Sequence, residues 1–153
     1  MTYKDLSKKI LLELSKDGRQ SHRELAEKLD VSAATIGNRI NQLRDDGILR
    51  GVSADIDYEQ LGYTSVAVTR FKVPGDSIQT ALEELEDYDC LTDIYEVTGN
   101  YDILAIGHYR DRQQMNRVIK ELQGRETVLE TNTSMVLNIV RENFPLALDD
   151  VEY

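Results

Sequence analysis

Apolar residues recur every three or four positions through roughly the first fifty residues, then in blocks that switch between strand and helix spacing. Leu6, Ile10 and Leu14, with Leu11 beside them, predict an amphipathic helix over 4–16 that ends at Asp17-Gly18. Ser21-His22-Arg23-Glu24 has the spacing of a capping box, and Leu25, Ala26 and Leu29 give the short stripe of a second helix ending near Asp30. Ser32 then caps a third helix with the stripe Ile36, Ile40 and Leu43, and Gly47 terminates it. Only Leu29-Asp30-Val31-Ser32 joins the last two helices, a connection short enough to force a steep crossing, as in a helix-turn-helix. Ile48 to Ile56 reads as two short strands around Arg50-Gly51, the wing of a winged helix-turn-helix.

Beyond a turn-like stretch, Tyr58 to Gly62, Tyr63–Val73 alternates as a strand and Pro74-Gly75 breaks it. Ile78, Ala81, Leu82 and Leu85 mark a helix. Leu91–Thr98 and Tyr101–Tyr109 read as strands around Gly99-Asn100. Met115, Val118, Ile119 and Leu122 mark another helix, and Val128–Val140 a last strand. The order βαββαβ is the split βαβ of a ferredoxin-like domain, with both helices on one face of a four-stranded antiparallel sheet. The fold class is therefore α+β, with a winged head over 1–53, a link over 54–62 and the ferredoxin-like segment over 63–153. Ile103 and Ala105 lie on one side of the third strand and Leu104 and Ile106 on the other. In the last strand Leu129, Met135, Leu137 and Ile139 oppose Val128, Val136 and Val140. Apolar residues on both faces call for a second cover, most simply the same sheet of another copy, and so predict a homodimer.

Charge divides the chain at the same place. Up to Ser53 ten basic residues face eight acidic ones, a net +2, whereas the remainder holds eight basic and twenty acidic residues, a net −12 that outweighs the head and sets the formal charge of −10. The acidic excess, with eleven Arg to seven Lys, suits a protein of a salt-rich cytoplasm, as in a halophilic archaeon; the simpler account is a domain that keeps itself off DNA. A single cysteine, Cys90, excludes an intramolecular disulfide framework, and no clustered Cys and His set a metal site. The charged first twenty residues and the lack of a membrane-length apolar run predict a cytoplasmic protein with no membrane partner and no cofactor.

The third helix carries the candidate chemistry of the head. Ala33, Ala34, Thr35, Asn38, Arg39, Asn41, Gln42 and Arg44 are small or hydrogen-bonding, with no acid until Asp45. Such a face suits a major groove: small residues allow close approach, and Asn38 and Arg39 match base edges. Arg19, Arg23, Lys28, Arg44 and Arg50 are placed to contact phosphates, with Ser21 and Ser32 at the two helix starts. The reading is a sequence-specific binder of palindromic promoter sites in double-stranded DNA, two heads supplied by one dimer.

The segments Gly18-Arg19-Gln20-Ser21 through Glu24-Leu25-Ala26, Val31-Ser32 through Arg39-Ile40, and Gly47-Ile48-Leu49 resemble the reading head of the Lrp/AsnC regulators of bacteria and archaea. Val97-Thr98-Gly99-Asn100-Tyr101-Asp102 resembles that family's G-x-Y-D turn, and Thr131-Asn132-Thr133 its Thr-rich last strand. The resemblance covers nearly the whole chain. It implies a transcriptional regulator that is not an enzyme, with a small effector, usually an amino acid, held between subunits near the turn. The residues so implied are Gly99, Asn100, Tyr101, Asp102, Thr131, Thr133 and Ser134, with Asn132 an alternative. Gly99 would permit the turn, backbone amides would hold a carboxylate and Asp102 would answer an ammonium group. The plainer alternative is a hairpin turn with Tyr101 as a packing residue. The resemblance also implies assembly beyond the dimer, into tetramers or octamers.

Two rival readings stand beside this one. Siroheme decarboxylases resemble the same two-domain layout, but His108 is the one histidine of the second segment, and a lone strand histidine is more often a half-exposed structural residue. A ligand-sensing partner that does not touch DNA is the other, kept open by a head of net charge only +2.

Overall fold

Helix α1 (Tyr3–Lys16) is followed by α2 (His22–Leu29) and α3 (Ala33–Asp45). The computed structural model describes residues 3–143, and the chain separates into two units. The first comprises the chain up to Asp55 together with 141–143, the second Ile56–Val140. Residues 144–153 of the expected ferredoxin-like segment lie outside the described residues.

In the first unit Leu6, Ile10, Leu25, Ala26, Ile36, Ile40 and Leu43 form one core, each fully buried large side chain contributing about 1.5–3 kcal/mol. The capping box at Ser21 is formed in both directions: Glu24 N–H donates to Ser21 Oγ at 3.2 Å, and Ser21 N–H donates to Glu24 Oε2 at 2.7 Å. Asp30 ends α2 in the left-handed region, φ 54°, which turns the chain at once toward Ser32, whose Oγ accepts the Thr35 amide at 3.0 Å. At the far end of α3, Gly47 adopts φ +70°. There Ile48 N–H donates to Leu43 O while Gly47 N–H donates to Arg44 O, a Schellman closure of the last turn.

The two wing strands expected around Arg50-Gly51 are not formed; residues 48–57 contain no strand. Neither Arg50 nor Gly51 has positive φ, and a two-residue hairpin needs it at the first or at both central positions. The segment instead crosses Gly18, where a side chain would collide with Val52.

In the second unit the order is β1 (Ser65–Lys72), α4 (Ile78–Glu86), β2 (Leu91–Glu96), β3 (Ile103–Tyr109), α5 (Arg112–Gln123) and β4 (Glu130–Met135). The strands lie β2-β3-β1-β4, every pair antiparallel, which is the expected ferredoxin-like arrangement. Alternation decides the faces. Ala67, Thr69 and Phe71 of β1, with Ile103, Ala105 and Tyr109 of β3, are buried with Ala81, Leu85, Met115, Ile119 and Leu122 of the two helices. The Tyr109 ring lies over Gly107, where an added Cβ would stand 2.6 Å from Tyr109 Cζ. The last strand is shorter than the Val128–Val140 expected, because ladder pairing with β1 stops at Met135↔Ala67, close to where β1 itself begins. Leu137 and Val140 consequently stand 97% and 90% exposed.

Candidate functional site

On α3 the side chains at 34, 38, 41 and 45 follow the spacing i, i+4, i+7, i+11, opposite the buried stripe Ile36, Ile40 and Leu43. Ala34, Asn38 and Asn41 are exposed along that line, with Ala33 and Thr35 exposed at its N-terminal end. Asp45, also on it, puts a negative charge at the end away from the first turn. Gly37 lets the neighbouring helix come close: a Cβ there would stand 3.3 Å from His22 Nδ1. The first turn of α2 thus packs beside the middle of α3, and the exposed Arg23 belongs to that turn. Arg19, Arg44 and Arg50 are exposed as well. Arg19 lies 3.8 Å from Asp17 and Arg23 3.2 Å from Glu27. Such solvated pairs contribute about 0–1 kcal/mol, so phosphate oxygens replace those carboxylates at little cost.

Two expectations on this face need correction. Arg39 is not on it: the residue is 5% exposed, because position 39 completes the i, i+3, i+4, i+7 pattern with Ile36, Ile40 and Leu43. Lys28 donates to Glu13 Oε2 at 3.1 Å and Gln20 Oε1 at 2.6 Å, and with its side chain 53% exposed it stays open to phosphate, as Arg19 and Arg23 do. Hydrogen bonds from Lys16 and Lys28 hold the Glu13 carboxyl below its ordinary value. The Ser21 and Ser32 hydroxyls serve the helix starts, so their work is to fix the angle of α3.

The β2–β3 turn is held from the neighbouring strand. Gly99 has φ +121°, with open space where a Cβ would project. Val97 N–H donates to Asp102 O and Asp102 N–H to Phe71 O, at 2.8 and 2.9 Å. The Asp102 carboxylate accepts from the Val73 amide at 2.9 Å and from Lys72 Nζ at 3.2 Å. The Val73 amide foremost, with Lys72 adding to it, outweighs partial burial and holds this carboxyl below its usual range. Asp102 is therefore already engaged with the end of β1, where an ammonium partner had been expected. Tyr101 reaches across to Glu130, its hydroxyl donating to Oε1 at 2.8 Å, and that acceptor pushes the phenol up.

The threonines of β4 separate from Ser134. Thr133 Oγ1 and Thr69 Oγ1 are hydrogen-bonded at 3.1 Å, and Thr131 Oγ1 accepts from Gln123 of α5 at 2.6 Å, so both threonines face the helices. Asn132 and Ser134 pair with Arg70 and Val68 on the open face. The turn, the threonines and Ser134 thus do not form one cluster within a single chain. His108, expected half-exposed, is 6% exposed, with the Tyr58 ring 5.2 Å from its own.

Residues 4–50 match a family described as winged helix-turn-helix DNA-binding, and residues 66–146 match the Lrp/AsnC ligand binding domain. The chain belongs to the Lrp/AsnC family. An uncharacterized HTH-type transcriptional regulator of Pyrococcus furiosus is 40% identical over 146 residues, covering 95% of this chain and 99% of that one. AsnC of E. coli is 29% identical with a TM-score of 0.83, covering 95% of this chain and 100% of that structure. A Neisseria meningitidis transcriptional regulator solved as a complex with L-methionine shares the fold, with TM-score 0.89 at 24% identity, over 97% and 98% of the two chains. As a member of the Lrp/AsnC family the protein is a transcriptional regulator and not an enzyme, with a DNA-binding head and a ligand-binding domain.

For this Lrp/AsnC protein, residue-by-residue reading missed Lys72 and Glu130 as the partners that hold the turn, since each lies about 30 positions from it. The signal for Gly37 was available: a glycine inside a helical pattern usually marks close packing. Among the described residues no helix is long and apolar enough to cross a membrane, and no group of His, Cys, Asp and Glu could hold a metal.

Proposed function

We propose that two copies of this chain pair through the open faces of their sheets and present two α3 helices to successive major grooves of a palindromic promoter site. The head, link and effector segments of this reading are 1–53, 54–62 and 63–153. An amino acid bound near the turn 99–102 shifts the DNA affinity or the assembly, dimers joining into tetramers or octamers. The observation that carries the reading is the outward line Ala34, Asn38 and Asn41 on a helix whose opposite face is fully buried. Pairing is supported by the open sheet face, where Val66, Val68, Leu104 and Ile106 form a continuous half-buried apolar block across β1 and β3. An amino-acid effector is supported by the methionine complex of the N. meningitidis relative.

Because the Asp102 carboxylate is already bonded, the ligand's ammonium group would meet it only alongside Lys72, or would use Asn132 and Ser134 of the open face. The free amides of Gly99 and Asn100 remain the carboxylate-holding part of the reading.

The test is Ile106→Arg, measured by sedimentation and by selection of bound genomic fragments with and without each amino acid. Wild type should sediment as a dimer or larger and enrich inverted repeats, with one or more amino acids changing the enrichment. Ile106→Arg should give a folded monomer whose enrichment is lost. A wild-type monomer that enriches no sequence refutes the proposal.

A further inference from the structure

We propose that the cleft between the start of β1, the end of β3 and the first turns of α5 is a second ligand site, which takes a small molecule through its phosphate or carboxylate group. The cleft is open to solvent, has a volume of about 520 Å³ and is lined by Tyr63, Arg110, Asp111, Gln114, Arg117 and Val118, room for the charged end of a small metabolite. The lining holds two arginines and one aspartate, a net charge of +1 within a segment where acids outnumber bases twenty to eight. Asp111 is committed to the helix start, its Oδ1 accepting the Gln114 amide at 2.7 Å. Elsewhere in this unit Lys72 pairs with Asp102 and Arg125 with Glu121, while Arg70, Arg112 and Lys120, without an ion pair among the described residues, do not line the cleft. Among the described residues, neither Arg110 nor Arg117 has a carboxylate within ion-pair distance.

Arg110 is held in place. Its guanidinium carbon lies 5.7 Å from the centroid of the Tyr63 ring, its carbonyl accepts from Thr64 Oγ1 at 2.9 Å and its amide donates to Gln114 Oε1 at 2.7 Å. Gln114 keeps its Nε2 as a further donor. Two planar forks and an amide thus border one opening, with the Tyr63 ring as an apolar wall, which is the donor set that planar or tetrahedral oxyanions accept. The acidity of the domain does not cancel this: charges beyond about 8–10 Å are screened at physiological salt, whereas a bound anion would touch the guanidiniums.

The cleft lies at the end of β3 opposite the 99–102 turn, roughly 20 Å away along a seven-residue strand. The two sites can therefore be tested apart.

The experiment is calorimetric titration of the full chain with inorganic phosphate in one arm and succinate in the other, at constant ionic strength. One site per chain should saturate in at least one arm, and the arm that saturates identifies the group. Arg117→Gln, an exposed position that leaves the fold intact by circular dichroism, should weaken binding about tenfold or more. Asp102→Asn should leave it unchanged. Absence of saturable binding in both arms up to about 10 mM, or wild-type affinity in Arg117→Gln, overturns the assignment.

Discussion

Substituting the adjacent residues 38 and 39 of α3 separates the reading face from the core. Asn38 is exposed on the outward line, so Asn38→Ala should change stability by no more than about 0.5 kcal/mol. If its amide reads a base, the loss is about 1–3 kcal/mol of discrimination, or roughly 5- to 150-fold in affinity for the preferred site, with little change on random DNA. Arg39 is 5% exposed between Ile36, Ile40 and Leu43, so Arg39→Ala removes a packed stem and a buried polar end. A cost of roughly 2 kcal/mol is expected, within the ordinary range for a buried side chain. At about 4–8 °C per kcal/mol for a small domain, the head should melt roughly 8–16 °C lower. Far-ultraviolet circular dichroism melts give the stabilities. Fluorescence anisotropy on a selected genomic fragment and on a scrambled one gives the affinities, both measured below the melting range. The reasoning is refuted if Arg39→Ala melts like wild type but loses sequence preference, since the face would then be turned by about 100° from the one described.

Two further outcomes follow from the second unit. The Asp102 carboxyl has a folded value below its ordinary one, so its stabilising contribution is fully present above the usual carboxylate range and disappears as pH falls through the lowered value. Melting temperature should thus drop on acidification below about pH 4, and Asp102→Asn, less stable at pH 7, should show a shallower drop; parallel curves would show that the bonds to Val73 and Lys72 are not formed in solution. Burial pushes the Tyr109 phenol up to about 12, so one of the eight tyrosines should ionise last in an ultraviolet titration. Gly107→Ala should displace that ring, cost about 1–3 kcal/mol and restore an ordinary titration; an unchanged melt and titration would contradict the packing of Tyr109 on Gly107.

The sequence alone determined the elements and their order, because local physics settles them. The Ser21 capping box, the Ser32 start and the Gly47 stop act within four residues of themselves, and the stripes Ile36–Ile40–Leu43 and Met115–Ile119–Leu122 have the helical period. Single-residue assignments at the margin of a stripe were not determined locally: Arg39 fits the buried spacing as well as the exposed face, and only three-dimensional packing shows that its long stem joins the core. The two strands of the wing are not formed for a related reason, since Ile48–Ile56 has strand-like composition but a ladder needs both a turn and a partner. The tertiary structure likewise decided that Asp102 bonds to the end of β1, and that Thr131 and Thr133 face the helices while Ser134 faces away. Strand alternation dictates that neighbours oppose one another, but which side is covered depends on register with strands some 30 to 60 residues distant, and no local pattern carries that information.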